Sequence, residues 1–460
     1  MSASDTDRTH FEASSVDGSQ PRNDDATKHT ERDLEKSTPQ SQSDIPEDAA
    51  ATGPPPIGSD APDGGYRAWV VVFGAWCSSY CTWGWINAVG VFQEYYQSTL
   101  LDNYSSSAVS WIPSLQFFFM MALGPVMGSL YDNYGPRWLI LGGSFLHVFG
   151  LMMASISTEY YQILLSQGLC SAIGVAAIFQ PALAVIPGWF SKKRGTAYGI
   201  LATGSSIGGV TLPIMVNRLI RSIGFGWAMR ITAFIILGLL IVVNLTVTAY
   251  RPPQPRKLTA KQFWHPFTDF KFAMLGIGIA IFTWGMYVPM NYLQVDAVAN
   301  GMDPHLVQYL VAIFGAGSLF GRLLSGVFGD IFGMYNVFIL VCYIASALIL
   351  ALWLPAGNDA ARIAFAVLYG FFSGAYVSQL PALVAIISPV RDMGVRTGLI
   401  FLCSAIPALT SNPIAGAILG DNNNWHGAKA FAGVMCAAGT CVIVGTRMSL
   451  AKGKGFFAKV

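Results

Sequence analysis

From Tyr66 onward, long apolar stretches alternate with short polar connections, whereas the first 62 residues contain no such stretch. Twelve of these stretches have the length of about 20 residues that a helix needs to cross a bilayer. Their centres lie near residues 80, 119, 148, 174, 206, 238, 283, 316, 346, 374, 407 and 440. The pattern therefore predicts an all-α polytopic membrane protein with twelve transmembrane helices.

The second part of the apolar region repeats the first at an offset of about 200 residues. PALAVI at 181–186 recurs as PALVAI at 381–386, and GSLYDNYGPR at 128–137 is matched by GVFGDIFG at 326–333. The longest internal connection, 251–270, divides the twelve stretches six and six. We therefore predict a duplication that yields two pseudo-symmetric six-helix halves, 63–250 and 271–450.

The repeated loop keeps a glycine, an aspartate four residues later and another glycine three residues further on. Because the aspartate follows a helix, it can accept hydrogen bonds from backbone N–H groups of a neighbouring helix or pair with a basic loop residue. We predict that both loops brace one conformation of the protein. The residues concerned are Gly128, Asp132, Gly135 and Arg137 in the first copy and Gly326, Asp330 and Gly333 in the second.

Composition separates the ends of the chain from the apolar region. Hydrophobic residues make up 53% of the chain and charged residues 11%, against about 25% charged residues in a typical soluble domain. Residues 1–62 hold 13 Asp/Glu against five Lys/Arg, and they are predicted to form a disordered cytoplasmic tail. The remaining segments are a cytoplasmic linker at 251–270 and a short cytoplasmic tail at 451–460.

Basic residues concentrate in alternate loops. The loops on the side of Lys192, Lys193 and Arg194 hold eleven Lys/Arg, whereas the opposite loops hold four. Because basic loops usually stay in the cytoplasm, both termini are predicted to be cytoplasmic, with the plasma membrane as the expected location. Asn103, in an Asn-Tyr-Ser sequon, is then a candidate glycosylation site on the outer side, although its closeness to the flanking helices argues against modification.

The sequence lacks the motifs of catalysis and of metal binding. It contains neither a Walker-type Gly-Lys loop nor H-E-x-x-H, and its seven cysteines lie inside apolar runs without metal-ligand spacing. An enzyme, an ATP-driven pump and a nucleic-acid-binding protein are therefore not expected, and no cofactor is predicted. The expected partners are the lipid bilayer and a small organic molecule, and we assume a monomer.

Arg322 is the main candidate for substrate binding. It lies eight residues before Asp330, about 12 Å along a helix and hence near the middle of a hydrocarbon core about 30 Å thick. An arginine at this depth costs about 2.5 kcal/mol or more, so it must face a wet cavity or a partner. Its planar fork suits a carboxylate or another oxyanion. The alternative is an arginine that bonds helix-end carbonyls or extends to the interface.

Other candidates for a substrate cavity are neutral. Their side chains would supply stacking faces and hydrogen bonds, although packing between helices is the alternative for each of them. His147 could relay protons or be a buried neutral histidine bonded to a neighbouring helix, and Pro289, Pro381 and Pro407 are predicted helix breaks that free carbonyl groups. The neutral candidates are Trp83, Trp85, Asn87, Gln180, Trp284, Tyr287, Asn291 and Gln379.

The duplicated G-x-x-x-D-x-x-G loop resembles that of the major facilitator superfamily, and two further segments resemble its monocarboxylate porter branch, especially the fungal members. DGGYRAW at 63–69 matches an Asp-Gly-Gly-aromatic signature before the first helix, and WFSKKRGTAYG at 189–199 matches the entry to the fifth helix. The residues that carry this match are Asp63, Gly64, Gly65, Phe190, Lys192, Lys193 and Arg194.

The resemblance implies a secondary carrier that works by alternating access around a central cavity. The chain departs from the animal lactate carriers of that branch, since Asn87 stands where they have a lysine and Ser318 where they have an aspartate. Arg322 thereby has no obvious partner one turn away on its own helix. We expect a small to medium organic solute, a carboxylate or another weak acid. A fungal metabolite exporter and a non-transporting nutrient sensor are the alternatives, and proton coupling and transport direction stay open.

Overall fold

Twelve helical segments of membrane length, joined by short connections, account for most of the chain from Tyr66 to Ala451. The structure, a computed structural model, describes residues 61–253, 255, 261–420 and 424–451. Most of the predicted N-terminal tail and all but the first residue of the predicted C-terminal tail therefore lie outside the described residues. In chain order the helices are α1 (66–100), α2 (106–134), α3 (Pro136–Ala154), α4 (Tyr160–Trp189), α5 (Arg194–Ile223), α6 (Phe225–Thr246), α7 (Phe270–Ala299), α8 (Pro304–Phe332), α9 (Met334–Trp353), α10 (Asp359–Ile387), α11 (Met393–Leu419) and α12 (Trp425–Ala451).

Length and hydropathy together identify ten single helices that can cross a membrane, and eleven spans when the two parts of α2 are taken as one. The remaining segment, α1, is more polar but equally long, and several of its residues are fully buried in the bundle. With α1 the segments number twelve, so the predicted all-helical fold is confirmed. The part of the chain that the structure describes contains no strand.

The predicted helix breaks at Pro289, Pro381 and Pro407 are wrong. Helices α7, α10 and α11 run through these prolines without interruption. In a packed membrane bundle, neighbouring side chains and small local adjustments satisfy the carbonyl that a proline leaves unpaired. The bend occurs in α2 instead, where Ala108–Ala122 and Gly124–Tyr134 meet at 41°.

Other helices contain local π-helical turns. Tyr80–Gly84 forms such a turn in α1, and Leu164–Ser171 forms a longer one in α4. Because a π turn alters the regular hydrogen-bond ladder, it can leave a carbonyl for another partner. The Cys81 carbonyl lies 3.2 Å from Nε2 of the buried His147, whose Nδ1 lies 2.9 Å from the Ser171 hydroxyl. The N-terminal half thus has a neutral hydrogen-bond network that joins α1, α3 and α4.

The two halves meet along two main crossings, α2 with α11 and α5 with α8. Both crossings lie at the end of the bundle that carries the repeated loops and the Lys192 turn, which we call the basic end. Helices α2 and α8 each end in a glycine with a left-handed backbone, Gly135 at φ 78° and Gly333 at φ 97°. A side chain there would strain the turn, which gives a physical reason for the last glycine of the repeated loop.

Candidate functional site

A small cavity lies between the halves, with walls from α1, α4 and α5 on one side and α8, α10 and α11 on the other. Its volume of about 20 Å³ leaves room for roughly one water molecule. Arg322 is the one charged residue among the described residues that line it, and most of the others are apolar. The lining includes Trp83, Phe179, Ser205, Arg322, Ser378 and Phe401.

Arg322 extends from α8 across the cavity to α5. Its Nη1 donates hydrogen bonds to the Ala202 carbonyl at 3.0 Å and to the Ser205 hydroxyl, and its Nε donates to the Ser318 hydroxyl at 3.1 Å. The expectation that Arg322 has no partner one turn away is therefore wrong, because Ser318 is that partner. None of the ion pairs found among the described residues includes Arg322, so neutral oxygens alone hold its charge there.

The other predicted cavity residues lie at several different places. Trp85 is buried inside the N-terminal half against His147, and Gln379 donates from Nε2 to the Ser325 carbonyl at 2.8 Å, so both serve packing between helices. Asn87 is exposed beside Gly209 of α5. Asn291 is exposed and donates to Asn412 at 3.0 Å. The structure therefore does not bring these four side chains to the cavity of Arg322.

Gln180 and Tyr287 have more specific surroundings. Gln180 is buried at the crossing of α2 and α11, and within the described chain neither its amide oxygen nor its nitrogen has a hydrogen-bond partner. Its Nε2 lies close to the backbone of Gly124. Tyr287 is half-buried, and its ring contacts Phe117 of the opposite half at 5.7 Å between ring centroids. Both side chains therefore lie where the two halves meet.

The aspartates of the repeated loops bind backbone N–H groups across the crossings. Asp330 accepts from Gly195 N and Thr196 N at 2.8 Å each, and it also accepts from the Thr196 hydroxyl at 2.6 Å. Asp132 accepts from Gly394 N and Val395 N at 2.9 Å each. Both carboxylates thus bind backbone N–H groups at a helix start, one of the two predicted interactions, where a carboxylate is also favoured by the helix dipole.

Glycines of the same loops let the crossing helices touch through their backbones. A β-carbon added at Gly128 would overlap the Gly394 carbonyl, and one added at Gly326 would overlap the Gly195 carbonyl. Small residues permit this close approach in membrane helices. Arg137, which follows the first loop, is exposed at the start of α3. The basic end is therefore closed in this structure.

The two family signatures contact each other. The Asp63 carboxylate accepts hydrogen bonds from Ser191 N at 2.5 Å and Lys192 N at 2.6 Å, directly before α5. Its φ of 51°, followed by the left-handed Gly65, turns the chain into α1. Behind this turn, Phe190 packs on Trp69 with ring centroids 5.0 Å apart. The first signature thus fixes the loop that leads into the α5/α8 crossing.

Residues of the second signature complete the contact with the other half. Arg194 is buried and donates from Nε to the Phe190 carbonyl at 2.8 Å and from Nη1 to the Ala385 carbonyl of α10 at 3.4 Å. Lys192 and Lys193 are exposed at the basic end, whereas Gly64 has open space around it. The predicted sequon residue Asn103 lies in the exposed turn between α1 and α2, at the opposite end.

Sequence analysis missed a buried ionic network in the C-terminal half. Asp296 of α7 is fully buried, 2.9 Å from Lys429 Nζ of α12 and 3.6 Å from Arg362 Nε of α10. Trp353 Nε1 of α9 also donates to its carboxylate at 3.0 Å. These residues lie far apart in the sequence, and Arg362 and Lys429 are two of the four basic residues that the sequence pattern places in the loops opposite the Lys192 turn. The network joins four helices at the end of the bundle opposite the basic end.

Comparison with known proteins places this architecture in a family. The family model described as Major Facilitator Superfamily matches residues 68–289 and 273–455. The MFS transporter asaE of Aspergillus flavus is 52% identical over 445 residues, which cover 96% of this chain and 97% of asaE. The Fujikurins efflux protein of Gibberella fujikuroi is 52% identical over 389 residues, which cover 84% of each chain.

A solved structure shows the same fold at low sequence identity. The E. coli fucose:proton symporter FucP superposes with a TM-score of 0.67 at 15% identity, over 82% of this chain and 99% of FucP. The structure has two similar halves with a cavity between them and two paired crossings. The sequence of the same chain matches transporters over nearly its whole length. This protein is a multi-pass membrane transporter that belongs to the major facilitator superfamily.

Proposed function

We propose that this transporter is a secondary carrier that exports a small to medium organic acid by alternating access. The observation that carries the proposal is Arg322, a guanidinium in an otherwise largely apolar cavity between the two halves, with neutral oxygens as its hydrogen-bond acceptors. A planar guanidinium in such a place suits the two oxygens of a carboxylate. Carriers of this architecture move solutes by exposing a fixed central site alternately to the two sides of the membrane.

The relatives support the export direction. The Fujikurins efflux protein is named for efflux, and it shares 52% of its residues with this chain over 84% of each. The signatures at 63–69 and 189–199 support placement in the monocarboxylate porter branch, and they are consistent with an acidic substrate.

The test is substitution of Arg322 in purified protein reconstituted in vesicles, with radiolabelled benzoate as the probe. Arg322→Lys should weaken benzoate binding strongly, because a point charge lacks the paired geometry, and Arg322→Gln should weaken it more. A lost contact to an anion in a desolvated cavity costs about 2 to 5 kcal/mol, or roughly thirty-fold and upward in affinity. Arg230→Gln is the matched control, since Arg230 is a half-buried arginine of α6 that contacts Ser155 and Trp227 away from the cavity.

If Arg322 only packs the bundle, the opposite result follows: Arg322→Gln would express poorly, and the protein that reaches the membrane would bind benzoate normally. Ser318→Asp gives a second measurement. Ser318 accepts from Arg322 Nε at 3.1 Å, so a carboxylate there would occupy the guanidinium. We expect weaker benzoate binding and a steeper dependence of transport on pH.

We also propose that both termini face the cytoplasm, because eleven basic loop residues lie on the side of the Lys192 turn and such loops are retained there. The chain beyond α6 offers a direct test. A cysteine at Thr268, at the end of the short helix Lys261–Thr268, should react only with thiol reagents that enter intact cells. Labelling by a membrane-impermeant reagent from outside would contradict this orientation.

A further inference from the structure

Five aromatic rings from five helices form a continuous chain across the interface between the halves. Neighbouring rings lie 5.6 to 5.8 Å apart between centroids and meet at interplanar angles of 67° to 86°. We call this set the aromatic chain. Its members, in spatial order, are Tyr287 of α7, Phe117 of α2, Trp83 of α1, Phe179 of α4 and Phe401 of α11.

The aromatic chain connects the two halves twice. Its three middle rings belong to the N-terminal half, and its end rings belong to the C-terminal half. The contacts Phe117–Tyr287 and Phe179–Phe401 therefore cross the interface. Any movement that separates the halves at this level must break both of these edge-to-face contacts, which are favourable beyond simple burial of area.

Three of the five rings form a wall of the cavity that contains Arg322. Trp83, Phe179 and Phe401 line that cavity together with the guanidinium. At about 20 Å³ the cavity cannot admit an organic solute as it stands, so the rings must separate when a substrate enters. A small polar acid could satisfy Arg322 but could not replace the lost ring contacts. A ligand with its own apolar or aromatic faces would replace them.

We infer that the substrate is an amphiphilic organic anion: one acidic group that binds Arg322 and an apolar, aromatic or conjugated body that inserts into the aromatic chain. This inference rests on the proposed function and adds the chemistry of the substrate's body. Most binding pockets for organic molecules share this division, with apolar and aromatic walls and a few placed polar groups. Small hydrophilic acids are then poor substrates.

The test measures affinity along a series of carboxylates in which only the apolar body grows. Acetate, butyrate, benzoate and 2-naphthoate compete with radiolabelled 2-naphthoate for the purified protein in vesicles, and neutral 2-naphthamide controls for the charge. We expect affinity to rise about a hundred-fold from acetate to 2-naphthoate, the order that burial of two fused rings would give. 2-Naphthamide should bind at least thirty-fold more weakly than 2-naphthoate.

Variants of the aromatic chain separate the ring contribution from the charge. Phe179→Ala and Phe117→Ala should weaken 2-naphthoate binding about ten-fold and leave acetate binding unchanged. Affinity should therefore rise less from acetate to 2-naphthoate in these variants than in the wild type. Phe145→Ala is the matched control, because Phe145 forms a stacked pair with Phe149 on the exposed face of α3, away from the cavity.

Two outcomes would overturn the inference in different ways. A flat series in the wild type, with binding still lost in Arg322→Gln, overturns the amphiphilic substrate and leaves the organic-acid carrier. Equal binding of 2-naphthoate and 2-naphthamide overturns both, because the guanidinium would then not recognise an acid.

Discussion

The crossings of α5 with α8 and of α2 with α11 are built alike at the basic end and differ deeper in the bundle. At each crossing an aspartate accepts two backbone N–H hydrogen bonds, and facing glycines allow the helices to touch. Asp132 and Asp330 lie 198 residues apart, and the same offset relates Gly124 of α2 to Arg322 of α8. At equivalent positions, the α5/α8 crossing therefore has the guanidinium of Arg322, whereas the α2/α11 crossing has a glycine.

This difference separates what the duplication preserved from what it did not. The shared part holds the basic end closed through hydrogen bonds to backbone N–H groups, which both halves offer alike. The part that is not shared is Arg322, which the proposed function assigns to the anionic group of the substrate. In the N-terminal half, Gln180 occupies the corresponding region, buried near Gly124 with its amide atoms unbonded within the described chain.

The interiors of the two halves also differ in charge. The N-terminal half joins its helices through neutral groups, with His147 between Cys81 and Ser171. The C-terminal half joins its helices through Asp296 and Lys429, both buried. Neutral networks tolerate the loss of a partner better than buried ions do. The two halves should therefore respond differently to removal of one polar group.

The largest effect is expected at the ionic network. Asp296→Asn leaves two buried cations without their shared carboxylate and should destabilise the protein by about 3 to 5 kcal/mol, whereas Ser171→Ala in the N-terminal half should cost about 1 kcal/mol. Thermal unfolding of both variants in detergent makes the comparison. Adding Lys429→Met to Asp296→Asn should recover part of the loss. Equal, small effects of both single variants would show that the halves are held alike.

A smaller effect is expected at the glycines of the two crossings. Gly128→Ala and Gly326→Ala each place a methyl group against a backbone carbonyl. Overpacking of about 1 to 3 kcal/mol would shift the balance between the closed and open basic end by about five-fold to 150-fold. Opening can be measured with a cysteine at Ser378, which lines the cavity, in a background without native cysteines. Its rate of reaction with an impermeant reagent added at the basic end should rise in both variants.

Gly142→Ala is the control for these variants, since no other group lies within 4 Å of an added β-carbon there. A response to Gly128→Ala alone would mean that the crossings do not act as an equivalent pair.

The smallest effect is expected at the two aspartates. Asp132→Asn and Asp330→Asn should each slow transport about ten-fold while substrate affinity stays near its wild-type value, because hydrogen bonds to a carboxylate are worth about 1.5 kcal/mol or more and lie away from the cavity. At Asp330, part of the effect should come from the Thr196 hydroxyl, which donates to this carboxylate at 2.6 Å. Rates and affinities measured on the same vesicles would decide this.

Thr196→Val provides the matched comparison, because it makes the α5/α8 crossing resemble the other one. The rate should fall about three-fold. An unchanged rate, or an equal loss of affinity in all three variants, would contradict a gating role for these loops.

The sequence alone determined the number of helices and their duplication, because a bilayer requires long apolar segments and the repeated loops lie at equivalent positions in both halves. It also identified Arg322, since an arginine deep in an apolar segment requires a special environment. Both inferences depend on local composition and spacing. The broken helices predicted at Pro289, Pro381 and Pro407 failed because the neighbours of a proline, which the sequence does not reveal, decide whether a helix breaks.

The tertiary structure alone decided which side chains share a site. Asp296 and Lys429 are 133 residues apart, and each resembles an ordinary polar residue near a helix end until the fold places their charged groups at 2.9 Å. The aromatic chain likewise needs five helices to bring its rings together, whereas Trp85, only two residues from Trp83, faces the interior of its own half. Successive helical positions point about 100° apart, so only the packed bundle determines which residue meets the cavity.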